Sequence, residues 1–167
     1  MMLDRTTPPA IRPMEGFAIA RPERRQMKNG IPLNIIRAGS QEVVRFDVLI
    51  GAGQWHQTQA LQAMFANRML REGTSSLTSA QIAEKLDYYG AWLELSSSPN
   101  CGFITLYSLN KYFPKTLAII ADMLMHPAFP EKELEVVLEN NRQQFLVNSS
   151  RVEVIARKQF NRSLFGE

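Results

Sequence analysis

The order in which two hydrophobic periods succeed one another does most to limit what this chain can fold into. From Arg25 onward the pattern runs β, β, α, α, β, β, α, α. Strands that come in pairs, followed by helices in pairs, suit an antiparallel sheet. The βαβ alternation of a parallel sheet, with its glycine fingerprint, is missing. The expected class is therefore α+β, an antiparallel sheet with helices packed on one face. No internal repeat is visible.

Each segment has its own local signature. Residues 1–24 carry Pro8, Pro9, Pro13 and Pro22 and read as an extended arm. Residues 25–167 form the remaining domain. Asn29-Gly30 favours a tight turn, with Pro32 at a strand start or sheet edge. Glu42–Ile50 alternates, with Val44, Phe46, Val48 and Ile50 on one face. The glycines of Gly51-Ala52-Gly53 fit a turn or close backbone packing, since they do not form a phosphate-binding G-x-G-x-x-G. Gln57–Glu72 reads as a helix with a stripe of Leu61, Phe65, Met69 and Leu70, closed by Gly73. Thr78 and Gln81 make a capping box for a helix over Leu77–Tyr89, with Leu77 and Ile82 as its hydrophobic staple.

Ala91–Leu95 and Phe103–Leu109 read as antiparallel strands joined by a turn-rich connection, the second strand central and the first at an edge. Lys111–Met125 is amphipathic through Phe113, Leu117, Ile120, Ala121 and Leu124, and Pro114 falls in its first turn. A long helix starts at Glu131 and breaks at Asn148-Ser149-Ser150. A second stripe of Val152, Ile155, Phe160 and Leu164 follows. The chain then stops without a polar tail, as a domain truncated at its C-terminal end would.

Bulk properties remove several function classes. The 167 residues carry 19 basic and 16 acidic side chains, a net charge of +3. That is too mild for a nucleic-acid footprint, and no dense Lys/Arg block appears. No apolar run approaches the ~18 residues of a membrane span. One cysteine, Cys101, excludes an internal disulfide, and no secretory leader is visible, so a cytoplasmic protein is expected. The two histidines, His56 and His126, lie far apart and outside any metal-binding spacing. They fit surface or capping roles, and no Ser/His/Asp set can be assembled around them.

Several pieces, in order, resemble the pitrilysin/insulinase family of zinc peptidases, which includes the mitochondrial processing peptidase. They are MKNGIPLNII, VVRFDVLIGAGQWHQ, AMFANRMLREGT, SAQIAEKLDYYGAWL and HPAFPEKELEVVLENNRQQ. The resemblance runs from about Arg25 to the end. It implies the N-terminal half-lobe of such a peptidase. AMFANRMLREGT is similar to the family's A-H-F-L-E-H-M-L-F-K-G-T, whose H-x-x-E-H binds zinc through two imidazoles and holds the base between them. In that register the first zinc histidine falls on Met64, the catalytic glutamate on Asn67 and the second histidine on Arg68. The third ligand falls on Asn140, or on Glu139 after a one-residue shift. Met is a poor zinc ligand, Asn a weak one, and Arg stays protonated. The resemblance therefore implies an inactive member with no cofactor of its own, zinc being expected only in an active partner.

Arg68 is a candidate substitute for the metal's charge, pairing with Glu139 or Glu135. The alternative is a pair with Glu72 one turn on. The strand Trp92, Leu93, Glu94 and Leu95 is expected to border a groove where an extended peptide adds to the sheet. The implied function is a non-catalytic domain of a zinc protease. It would enclose peptide or an unfolded segment together with a catalytically active homologous subunit or second domain, as in a heterodimer. The alternatives are an active zinc endopeptidase whose metal and base come from another domain or chain, and a purely structural assembly subunit.

Overall fold

The structure is a computed structural model that describes residue 16 and residues 18–166. Most of the arm read at 1–24 lies outside the described residues. The chain divides into two compact units at the step from Gln41 to Glu42.

The first unit contains a two-stranded antiparallel hairpin, β1 (Glu23–Gln26) and β2 (Pro32–Ile35). Gly30 turns it with φ +86°, and the Ile31 amide donates to Asn29 Oδ1 at 3.2 Å. β1 starts at Glu23, two residues inside the span read as arm. Pro32 begins β2, a position that needs no ladder donor.

The second unit has the order β3 (Val43–Ile50), α1 (Gln62–Met69), α2 (Ser79–Tyr88), β4 (Trp92–Ser97), β5 (Gly102–Leu109), α3 (Phe113–Met125), α4 (Glu131–Ser149) and α5 (Val152–Phe165). Its three-stranded antiparallel sheet has the order β3-β5-β4. The central strand is β5, as its apolar run predicts, and β4 is an edge. Phe46, Val48, Leu93 and Leu95 face the helices. With Ile104 and Leu106 of β5, Ile82 and Leu86 of α2, and Ile119, Ile120 and Met123 of α3 they build the core. Each fully buried aliphatic side chain contributes about 1.5–3 kcal/mol of transfer free energy. The result is the α+β class, with mixed helix and antiparallel sheet.

Two helices depart from the sequence reading. α1 starts at Gln62, not Gln57. The Gln62 side-chain oxygen accepts from the Thr58 amide at 2.9 Å and the Thr58 hydroxyl at 3.0 Å, so those donors serve a turn in place of a helix. Leu61 then sits at the N-cap with φ +69° and is exposed, outside the stripe assigned to it. Gly73 does not cap α1. Leu70 is the C-cap, while Gly73, at φ +148°, bridges to Thr78. The buried face of α3 is Thr116, Ile119, Ile120 and Met123, so Ala121 is exposed. The sequence hides this because Thr116 looks polar. Its buried hydroxyl donates to Ser108 Oγ at 3.0 Å and lies close to the Tyr112 and Phe113 carbonyls, which removes the cost of burial.

α2 forms as read: Thr78 and Gln81 cap each other reciprocally and Gly90, φ +60°, ends it. The break between α4 and α5 falls at Ser150-Arg151. No described residue of α4 or α5 is buried. No helix among the described residues is long and apolar enough to cross a membrane.

Candidate functional site

α1 lies against the end of the sheet where β4 turns into β5. Its three site candidates divide there. Asn67 points into the sheet and is buried. Its Nδ2 donates to the Ser96 carbonyl and, at 3.4 Å, to the Phe103 carbonyl. Ser96 and Phe103 are partners across the β4–β5 ladder, so one amide group clasps both strands. Oδ1 of Asn67 is buried without a hydrogen-bond partner, so both acceptors in reach are served by the nitrogen. Gly102 keeps this space open, since a Cβ there would stand 3.1 Å from Nδ2.

Arg68 lies on the solvent side of α1 and is exposed, while Met64 is half-buried. Arg68, Arg71, Glu72, Leu95, Val137 and Asn140 line an open cleft of about 380 Å³. The structure thus brings Arg68 and Asn140, far apart in sequence, to one cleft. Met64 and Asn67 are not among its lining residues.

The expected pairing of Arg68 with Glu139 or Glu135 does not form. Glu139 instead holds Gln143 Nε2 at 2.6 Å and Arg142 at 3.3 Å on its own helix, and both keep its carboxyl below the usual range. Glu135 is exposed. Arg68 makes no ion pair with Glu72 either. Among the described residues that carboxylate accepts from Ser79 Oγ at 2.7 Å and lies 3.9 Å from Arg71. For Glu139 the physical reason is reach: Arg142 and Gln143, one turn on along its own helix, satisfy it before it spans two helices.

The strand Trp92–Leu95 is the first part of β4, at the sheet edge. Leu93 and Leu95 turn toward the helices, while Trp92 and Glu94 are exposed on the other face. Ser98 donates to the Cys101 carbonyl at 2.8 Å, and hydrogen-bonded pairs alternate from there. The backbone groups of Leu93, Leu95 and Ser97 therefore point away from β5.

Among the described residues, no three His, Cys, Asp or Glu side chains come together as metal ligands would. Met64, Asn67, Arg68 and Asn140 offer a thioether, two amides and a guanidinium. That donor set does not fit a zinc ion, which takes imidazole, thiolate or carboxylate.

A second cluster joins the α1–α2 loop to the end of α3, and nothing in the sequence pattern pointed to it. Asp122 accepts from Ser76 Oγ at 2.8 Å and meets His126 Nδ1 at 2.9 Å. Here the carboxylate sits between serine and imidazole. The imidazole cannot take the serine proton, so this is not a nucleophile with its base. It is a clasp, reinforced by the Ser75 amide bonding to the His126 carbonyl at 2.9 Å. His126 is the C-cap of α3, and His56 is exposed in a short 3-10 turn over Gln54–His56.

Hydrogen bonds from Thr74, Ser76 and His126 hold the Asp122 carboxyl below its ordinary pKa. A carboxyl depressed in the folded state stabilises above its unfolded pKa, and that contribution is lost as pH falls through the folded value. Asp122→Asn is expected to flatten the acid limb of the stability-versus-pH curve, as urea melts between about pH 2 and pH 6 would read. An unchanged acid limb would mean that the clasp contributes nothing.

The family model for Insulinase (Peptidase family M16) matches residues 35–165. The uncharacterized zinc protease YmxG of Bacillus subtilis (strain 168) is 27% identical over 115 residues, 68% of this chain and 28% of that protein. Among solved structures, a peptidase M16 inactive domain from Pseudomonas fluorescens superposes with a TM-score of 0.76 at 18% identity, covering 85% of this chain and 35% of that one. A protease from Helicobacter pylori gives a TM-score of 0.66 at 16% identity, with coverages of 76% and 32%. At these identities the two structures establish the fold. The chain spans between 28% and 35% of each relative's length.

Proposed function

This chain belongs to the insulinase family, peptidase family M16, and on that premise we propose that it is a non-catalytic member which binds peptide beside a catalytically active homologous subunit or domain. In this reading Met64, Asn67 and Arg68 stand where active members carry H-x-x-E-H, and Asn140 stands at the third ligand. The single observation that carries the proposal is the side chain of Asn67. At the position of the catalytic glutamate, it donates to the Ser96 and Phe103 carbonyls. A carboxamide takes up no proton at neutral pH, and this one is occupied in fastening the sheet. The exposed backbone groups of β4 offer an extended peptide a place to add as a further strand. The inactive M16 domain among the structural matches supports the loss of chemistry, while the zinc protease YmxG supports the alternative.

Metal analysis and hydrolysis of an internally quenched peptide separate the two. The purified chain is expected to hold well under one zinc per chain and to leave the peptide intact. Co-purification with an active M16 homologue should restore cleavage. Stoichiometric zinc, with hydrolysis by this chain alone that a chelator stops, would overturn the proposal. Absence of both peptide binding and an active partner would favour a purely structural subunit.

A further inference from the structure

Two clefts flank the free edge of β4. One is the cleft of Arg68, Arg71, Leu95 and Asn140 described above. The other, about 220 Å³, is lined by Ile82, Ala83, Leu86 and Leu93 together with the charged pair of side chains Arg71 and Asp87. Leu95 belongs to the first and Leu93 to the second, and the two residues are alternate positions of one strand face.

We propose that the Arg68 cleft takes an acidic side chain of an extended peptide paired on β4, and that the second cleft takes an apolar side chain two residues away. The inference rests on the peptide-binding reading above and adds the class of peptide. The geometry follows from pleating. In an antiparallel pair, directly opposed side chains project to the same face. Peptide residues opposite Leu95 and Leu93 therefore project into the two clefts, at a spacing of two.

Charge decides which cleft takes the acid. The first cleft holds two guanidinium groups and one carboxylate, so its balance is positive. Its carboxylate, Glu72, is held by Ser79 and faces Arg71 only at 3.9 Å. Arg68 has no ion-pair partner among the described residues. Glu139, the nearest acid in sequence to Asn140 on α4, is engaged by Arg142 and Gln143. A guanidinium presents a planar fork of donors that matches a carboxylate. In the second cleft Arg71 is balanced by Asp87, so it holds no net charge, and Ile82, Leu86 and Leu93 give it an aliphatic wall that suits Leu, Val or Ile.

Fluorescence anisotropy with the full 167-residue chain tests this. The probes are labelled nine-residue peptides, rich in Val and Thr and blocked at both ends, with Leu two positions from Glu, Gln or Lys. The Glu peptide is expected to bind about tenfold tighter than the Gln peptide, the size of one charge-assisted hydrogen bond, and Lys weakest. Raising salt should shrink the gap. Arg68→Gln should level Glu with Gln. Arg68→Glu should reverse the order in favour of Lys, an outcome that loss of folding would not produce. Equal binding of all three peptides, with and without Arg68, would overturn the acidic preference while leaving peptide binding intact. If no peptide binds at all, both this inference and the reading beneath it fall.

Discussion

Asn67→Asp is expected to cost about 3–5 kcal/mol at neutral pH, the penalty for a buried charge left without a partner. The change replaces one nitrogen by oxygen and leaves volume untouched, so packing does not confuse the result. It turns the Nδ2 donor toward Ser96 and Phe103 into an acceptor aimed at two carbonyl oxygens. No cation is bonded to Asn67 to offset the new charge. Burial and the facing carbonyl dipoles raise the pKa of the new carboxyl in the folded state. Its protonated form regains an O–H donor. The variant is therefore most stable below the unfolded carboxyl value of about 3.9 and loses stability as pH rises through the raised folded value. Urea melts of wild type and variant at about pH 4 and about pH 7 give the comparison. A penalty that stays the same at both would show that the side chain does not face the carbonyls as described.

Gly53→Ala is the second large effect, about 3 kcal/mol at the upper end of overpacking costs. Backbone angle is not the reason, because Gly53 is extended with φ −83°. The reason is proximity. A Cβ would stand 2.5 Å from Cys101 N and from Pro99 O, and would also overlap the Asn100 carbonyl carbon. All three are backbone atoms of the β4–β5 connection and cannot swing aside. Main-chain bonds hold the two segments together: Gly53 to Asn100 at 3.2 Å, Gln54 to Ser98 at 3.2 Å and Trp55 to Pro99 at 2.9 Å. Thermal melting and amide exchange at these three donors should both register the loss. Gly51→Ala, with nothing within 4 Å of its Cβ, serves as the control and should be near neutral.

What the sequence made legible was local. The capping box at Thr78 and Gln81, the turn at Asn29-Gly30 and the break beside Ser149-Ser150 each follow from chemistry within a few residues. The centrality of β5 was legible because a strand buried on both sides must be apolar. The departures involve partners at a distance or a side chain competing with the backbone. The start of α1 depends on where the Gln62 oxygen finds its donors, which periodicity does not record. The face of α3 depends on Ser108 waiting for Thr116. At the site, the resemblance implied a register for Met64, Asn67 and Arg68, with Asn140 or Glu139 as the third position. It gave no hint that Asn67 and Arg68 would take opposite directions, one into the sheet and one into the cleft.

The strand order β3-β5-β4 carries a kinetic consequence. β4 meets β5 through a hairpin whose closing pair, Ser98 and Cys101, is three residues apart. β3 meets the other side of β5 across a far longer stretch, and the Thr105–Asp47 bond joins residues 58 apart. Closing that span requires α1, α2 and β4 to be looped out, and the entropy of the loop is lost before any contact between β3 and β5 offsets it. The hairpin is therefore expected to form on the microsecond scale of local structure, and the docking of β3 to set the folding rate. Until β3 arrives, β5 presents an unpaired apolar edge, the state in which this chain is most open to association with other chains.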